Sequence, residues 1–169
     1  MSLEEKLIRL MQVAITDANI FIDLFELELL SSFFLLPYDI HTTIFVLEEL
    51  DIECSQNVQE NSTILNINDQ QKIEMEDMTW NRGFTFPDKS ILFVATKQQM
   101  IVLSGEKKMM TWCKTNDLES HGILFIFQKF IEEGVFTKAQ MADKLKELME
   151  FNQWLPSDIC LDLIEQWSV

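Results

Sequence analysis

The stretch Val13-Ala14-Ile15-Thr16-Asp17-Ala18-Asn19-Ile20-Phe21-Ile22-Asp23-Leu24 joins two different hydrophobic periods. Its first part is an apolar run with β-branched members, the pattern of a buried strand over residues 12–16. After Thr-Asp-Ala-Asn the apolar residues Phe21, Leu24, Phe25 and Leu27 recur at helical spacing, with acids between them. In an open α/β sheet, ligands bind just outside the carboxyl ends of the strands. Asp17 stands at that place and is the first candidate for chemistry.

Downstream, the helical pattern reads as one core helix until Pro37, which cannot continue it. Asp39-Ile40-His41 reads as a second, short strand. Thr42 or Thr43 can cap a helix running through Phe45–Leu50, and a further strand is expected near Ile52–Val58. Residues 59–87 are polar; Ile73, Met75, Met78 and Trp80 suggest an irregular helix there, with a turn at Arg82-Gly83. Asp88 sits where an N-cap belongs, ahead of Ser90–Ala95. Met100–Leu103 is a short buried strand, followed by a helix over 107–114. Ser120-His121-Gly122 reads as a turn before an apolar helix that Gly134 stops. Thr137 and Gln140 form a capping box for a helix to about Asn152. Pro156 fits the first position of the last helix. Strands alternating with helices predict a parallel α/β sheet with helices on both faces.

Composition narrows the class. The chain has 169 residues, 47% of them hydrophobic, few Gly or Pro, and a formal net charge of −15. That length fits one domain able to bury a core without disulfides. Cys54, Cys113 and Cys160 form no CxxC pair and read as reduced, buried thiols of a cytoplasmic protein. Met1–Lys6 lacks a basic n-region, so no signal peptide is expected. Asp23, Glu26 and Glu28 interrupt the apolar run from Ile20 to Pro37, which argues against a membrane span. Phosphate binding draws its affinity from Lys and Arg, so a body this acidic disfavours polyanions and suits a basic partner. Against that, Lys89, Lys97, Lys107, Lys108 and Lys114 fall within one stretch that would make a local positive rim.

Acids recur where chemistry is expected. Asp17 follows the first strand, Asp88 opens a helix, Glu106 follows the Met100–Leu103 strand, and Glu48 and Glu49 lie on the helix after the second strand. Carboxylates gathered without His or Cys favour a hard cation such as Mg²⁺ or Mn²⁺. Such an ion activates water and stabilises charge on a phosphodiester. The bland account is that an acidic chain places carboxylates at strand ends by chance, with Asp88 a simple cap. His41 and His121 stand apart from the acids, no Ser or Cys triad is visible, and no GxGxxG or P-loop occurs.

Thr16-Asp17-Ala18-Asn19, Val46-Leu47-Glu48-Glu49-Leu50, Phe86-Pro87-Asp88 through Ala95, Ile101–Lys107 and Ser120–Leu124 come in the order of a PIN domain. Together they resemble that family, the fold of many metal-dependent ribonucleases including the VapC-like toxins. The resemblance covers roughly residues 10–150. It implies an α/β fold of PIN-like three-layer α/β/α type with a central, mostly parallel sheet. The chain would be a single PIN-like domain over 1–169, with 151–169 a C-terminal helix. It further implies an acidic quartet of Asp17, Glu49, Asp88 and Glu106 holding Mg²⁺ or Mn²⁺, with Glu49 favoured over Glu48 because the family's second acid precedes a Leu. Asn19 and Ser104 match positions that orient a ligand or water. The departure is Ser104-Gly105-Glu106, where the family more often has Thr-Gly-Asp.

The expected function is therefore a metal-dependent endoribonuclease, the toxin of a toxin–antitoxin pair, with RNA as substrate and a basic antitoxin as partner. The alternative is a PIN-like protein-interaction module with weak or no nuclease activity, which the charge of −15 and Glu106 favour. Lys107 and Lys108 read either as holders of an RNA backbone or as solvated residues of a first helical turn. Trp80, Arg82 and Phe84 read as a base clamp or as loop packing. The apolar face of residues 20–36, with Phe33 and Phe34, suits a homodimer, a partner helix or ordinary core burial. A receiver-like phospho-acceptor and a phosphatase with an Asp-x-Asp motif fit poorly, the first by strand position and the second because residue 19 is Asn.

Overall fold

β1 (Gln12–Thr16) lies at the centre of a five-stranded sheet and pairs in parallel on both sides. The computed structural model describes residues 11–169, so the expectation for Met1–Lys6 lies outside the described residues. β2 (Tyr38–Thr43) and β3 (Thr63–Leu65) extend the sheet to one side, β4 (Ile101–Leu103) and β5 (Ser120–His121) to the other. The order is β3-β2-β1-β4-β5 and every pairing is parallel. Strand order reverses between β1 and β4, the kind of boundary where open α/β sheets leave a crevice. Thr16 pairs with Leu103, so Asp17 and Ser104 leave the sheet side by side. The Asp17 N–H donates to the Leu103 carbonyl at 3.2 Å.

The expected single helix between Ile20 and Pro37 is two. α1 (Ala18–Glu26) ends at Leu27, Glu28 turns left-handed at φ 59°, and α2 (Leu30–Phe33) follows. The Lys144 ammonium donates to the Leu27 carbonyl at 2.8 Å, satisfying a helix-end acceptor. Phe21, Leu24, Leu27, Leu30 and Phe33 are all buried, so core packing uses most of this apolar face.

The strand expected near Ile52–Val58 is a helix, α4 (Ile52–Asn61), after a single helical turn α3 (Ile44–Leu47). The Asp51 carboxylate caps α4 by accepting the Cys54 N–H at 2.9 Å, and Cys54 and Val58, four residues apart, bury one face. Glu48 and Glu49 lie in the turn after α3 rather than on a helix. Thr43 precedes α3, but its hydroxyl pairs with Ser90 at 2.8 Å instead of capping.

α5 (Asp69–Glu76) carries the polar middle of the chain, opened by an Asn68/Gln71 capping box. Trp80 then folds back. Its indole N–H donates to the Met75 carbonyl at 2.7 Å, and its ring stacks on Trp112 at 5.2 Å and 23°. Loop packing, not a free base clamp, is what this Trp does. α6 (Phe86–Gln98) buries Ile91–Ala95 as the central helix against the sheet. Its cap is Thr85 and not Asp88, which sits one turn in.

α7 (Lys107–Thr115) follows β4. His121 belongs to β5 instead of a turn, with its ring stacked on Phe125 at 3.8 Å and hydrogen-bonded to Glu119 at 2.7 Å. α8 (Ile123–Glu132) stops at Gly134, φ 69°, where a left-handed backbone favours glycine. α9 (Lys138–Phe151) starts at the Thr137/Gln140 capping box. Pro156 caps α10 (Ser157–Trp167) instead of entering it, and Cys160 and Trp167 are buried where α10 packs on α9. The architecture is three-layer α/β/α, with the sheet wholly parallel. All three cysteines are free and buried. Among the described residues no helix is long and apolar enough to cross a membrane.

Candidate active site

The crevice at the β1/β4 boundary is a cavity of about 260 Å³ whose wall includes Asp17, Asn19, Glu49, Asp88 and Glu106. Glu48 is not on that wall. Four carboxylates from four separate segments thus face one space, brought there by the parallel sheet and the first turn of α6.

Each acid is held by its neighbours. Asp17 is buried, with 5% of its surface exposed. One of its oxygens accepts the Ile20 N–H at 3.1 Å; the other accepts the Ser104 hydroxyl at 2.5 Å. The Ser104 oxygen in turn accepts the Glu106 N–H at 3.1 Å, so one hydroxyl ties two acids together. The Asn19 amide donates to Glu106 Oε1 at 2.9 Å. Asp88 accepts the Thr85 N–H at 3.0 Å, while the Thr85 hydroxyl accepts the Asp88 N–H at 3.3 Å. This capping box fixes the direction of the Asp88 carboxylate as it closes the helix end.

Lys108 stands between two of the acids. Its ammonium lies 3.1 Å from Asp88 Oδ2 and 3.1 Å from Glu106 Oε2, and donates to the Gly83 carbonyl at 2.6 Å. Lys107 and Lys108 are adjacent in sequence but differ in their surroundings. In the structure Lys107 is exposed and absent from the cavity wall, so Lys108 alone reaches the acids. The expected rim of five lysines does not form, because Lys89 pairs with Glu76 and Lys97 with Glu74 on α5.

Electrostatics follows from this count of charges. Asp17 is pushed up to about 7, chiefly by burial and further by Glu106 and Asp88, against the lowering effect of the Ser104 and Ile20 hydrogen bonds. Glu49, at the rim, is raised by partial burial and by Asp88 and Glu106. Burial works to lower Lys108, but its contacts with Asp88 and Glu106 outweigh that and raise it.

An all-oxygen, carboxylate-rich set with one ammonium to offset it has the chemistry that suits a hard divalent cation. Among the described residues no three acid, His or Cys side chains are already gathered at ion-holding distance. Lys108 occupies the place between Asp88 and Glu106.

A strand-end aspartate at a topological switch point, facing three further acids, lies where open α/β sheets bind their ligands. A family model of the PIN domain matches residues 13–169, and the chain belongs to the PIN domain family, whose members are typically nucleases. The match runs past residue 150 and takes in α10. No curated protein matches the chain.

Proposed function

We propose that this protein is a Mg²⁺- or Mn²⁺-dependent endoribonuclease, and that it acts as the toxin of a toxin–antitoxin pair in the cytoplasm. The observation that carries this is the convergence of Asp17, Glu49, Asp88 and Glu106 on one cavity. Asp17, Asp88 and Glu106 would hold the ion, with Glu49 doing so directly or through water. The ion, when bound, supplies an activated water and charge stabilisation at the phosphodiester. The chain's own part is orientation. Ser104 fixes Asp17 against Glu106, Asn19 holds Glu106, and Thr85 aims Asp88. A cation held there would compete with the proton on Asp17, whose carboxyl burial pushes up to about 7. The acidic exterior suits a basic antitoxin.

Asp17→Asn tests the reading. The amide copies the neutral form that burial favours, so the variant keeps its circular dichroism spectrum. It loses Mn²⁺-dependent cleavage of RNA by on the order of a hundredfold or more. A fully active variant, or a wild-type chain that binds Mn²⁺ yet cuts no RNA, would sink the nuclease reading. Mn²⁺ calorimetry on wild type and Asp88→Asn separates a built site from diffuse binding by an acidic surface: binding that survives unchanged in the variant excludes the quartet.

One observation favours the interaction-module reading, namely the Lys108 ammonium lodged between Asp88 and Glu106. Saturable Mn²⁺ binding with no cleavage in any RNA pool, together with recovery of a bound basic protein, would establish that alternative.

A further inference from the structure

Trp154 is 94% exposed, the largest ring on the surface with no partner in the fold. It is held in place all the same. Its backbone N–H donates to the Asn152 side chain at 3.0 Å, and the Asn152 amide donates to Asp23 on α1 at 2.8 Å. The loop between α9 and α10 is thereby pinned beside the active-site helix.

The indole lines two neighbouring concavities. One also has Gly105, Lys107, Met110, Lys114 and Pro156 on its wall, and the other Asn19, Glu106, Lys107, Lys108 and Phe151. They meet at Gly105, Lys107 and Trp154, and the second joins the acidic cavity through Asn19 and Glu106. A continuous groove therefore leads from the carboxylates, along α7, to the exposed indole.

Among the described residues Arg82, Lys107, Lys114 and Lys138 are the Lys and Arg side chains without an ion-pair partner, and two of these four line the groove. Three acids also line the groove, but each has a partner: Asp23 accepts from Asn152, Glu106 pairs with Lys108, and Glu119 is hydrogen-bonded to His121. Lys107 and Lys114 stand two turns apart on α7, on one face. Cations left free in a chain of net charge −15 suit a polyanion and repel a basic peptide. An exposed indole flanked by free lysines is the combination that holds single-stranded nucleic acid, with the ring stacking on a base and the ammonium groups contacting phosphates.

We propose that this groove is a base-stacking subsite for single-stranded RNA, with Trp154 as the platform and Lys107 and Lys114 as phosphate contacts. The role of the groove in leading a strand to the carboxylates rests on the nuclease reading above; the binding itself does not. Duplex RNA has no free base face for Trp154 and binds less well.

The test is fluorescence anisotropy with a labelled single-stranded RNA of about 12 nucleotides. EDTA is present to prevent cleavage, and a duplex of the same sequence is the control. Trp154→Ala is expected to weaken single-strand binding about tenfold or more, while Trp154→Phe keeps most of it. Because the ring is exposed, neither change leaves a cavity. The Lys107→Ala/Lys114→Ala double variant is expected to bind more weakly, with a shallower dependence on salt. The proposal is overturned by equal affinity of wild type and Trp154→Ala, by duplex bound as tightly as single strand, or by no binding of the wild-type chain. Trp154-dependent binding without Mn²⁺-dependent cleavage would keep the groove and remove the nuclease. Cleavage with a KM unaffected by Trp154→Ala would do the reverse.

Discussion

Asp17 keeps its proton in the folded chain at pH values where an unfolded aspartate has lost it, because its ordinary value of 3.8 is raised to about 7. Below about 3.8 both states are protonated and nothing is lost. As pH rises from there to about 7 the folded state is progressively disfavoured, on the order of 4 kcal/mol from this residue. The metal-free protein is therefore expected to melt at a higher temperature at pH 5.5 than at pH 8, with most of that difference absent in Asp17→Asn. Mn²⁺ affinity follows the opposite course, falling as pH drops through about 7, because the ion and the proton compete for one carboxylate. Calorimetry across that range checks both signs. Lys108 gives a second test at this scale. Lys108→Met leaves Asp88 and Glu106 without their tethered cation, so Mn²⁺ is expected to bind roughly fivefold tighter, ~1 kcal/mol for a partly exposed pair. Unchanged affinity would mean that the ammonium stands aside from the ion's place.

The Thr85/Asp88 capping box does two jobs at the scale of an element, starting α6 and aiming a candidate ligand. Thr85→Ala removes the hydroxyl that accepts the Asp88 N–H and is expected to cost about 1 kcal/mol, read by denaturant unfolding. Much at this scale was legible in the sequence. β1 and α1 were, because the hydrophobic period changes abruptly at Thr16–Asn19. α9 was, because Thr137 and Gln140 spell its cap. α4 was missed because Ile52, Cys54 and Val58 fit alternation and helical spacing alike, and Asp51, its actual start signal, was passed over. The split between α1 and α2 had no local mark, since Glu28 takes up its left-handed turn where a lysine from a distant helix meets the Leu27 carbonyl.

Across the whole molecule, order along the chain foretold more than totals did. Four acids in the right sequence of segments pointed to one sheet edge, and the structure brings them to one cavity. The net charge of −15 pointed away from nucleic acid, because a sum does not say which cations are already paired. Seven of the described Lys and Arg side chains are neutralised locally by acids. Those left free include the two along α7. Lys107 and Lys108 were indistinguishable as neighbours in sequence. A helix sets adjacent residues about 100° apart, so Lys108 reaches Asp88 and Glu106 while Lys107, among the described residues, is left without an acid partner. Trp154 offered no signal at all, because its exposure is decided by the loop between α9 and α10, which Asn152 ties to Asp23 on α1.

The stacked pair of Trp80 and Trp112 has an optical consequence. Two indoles 5.2 Å apart and tilted by 23° are expected to couple their electronic transitions, giving the pair a circular dichroism signal that neither ring produces alone. That signal is expected to be lost when the segment before α6 lifts off α7. That same segment carries Gly83, whose carbonyl anchors Lys108. Near-ultraviolet circular dichroism is therefore expected to report, without a label, whether the lysine between the acids is still tethered.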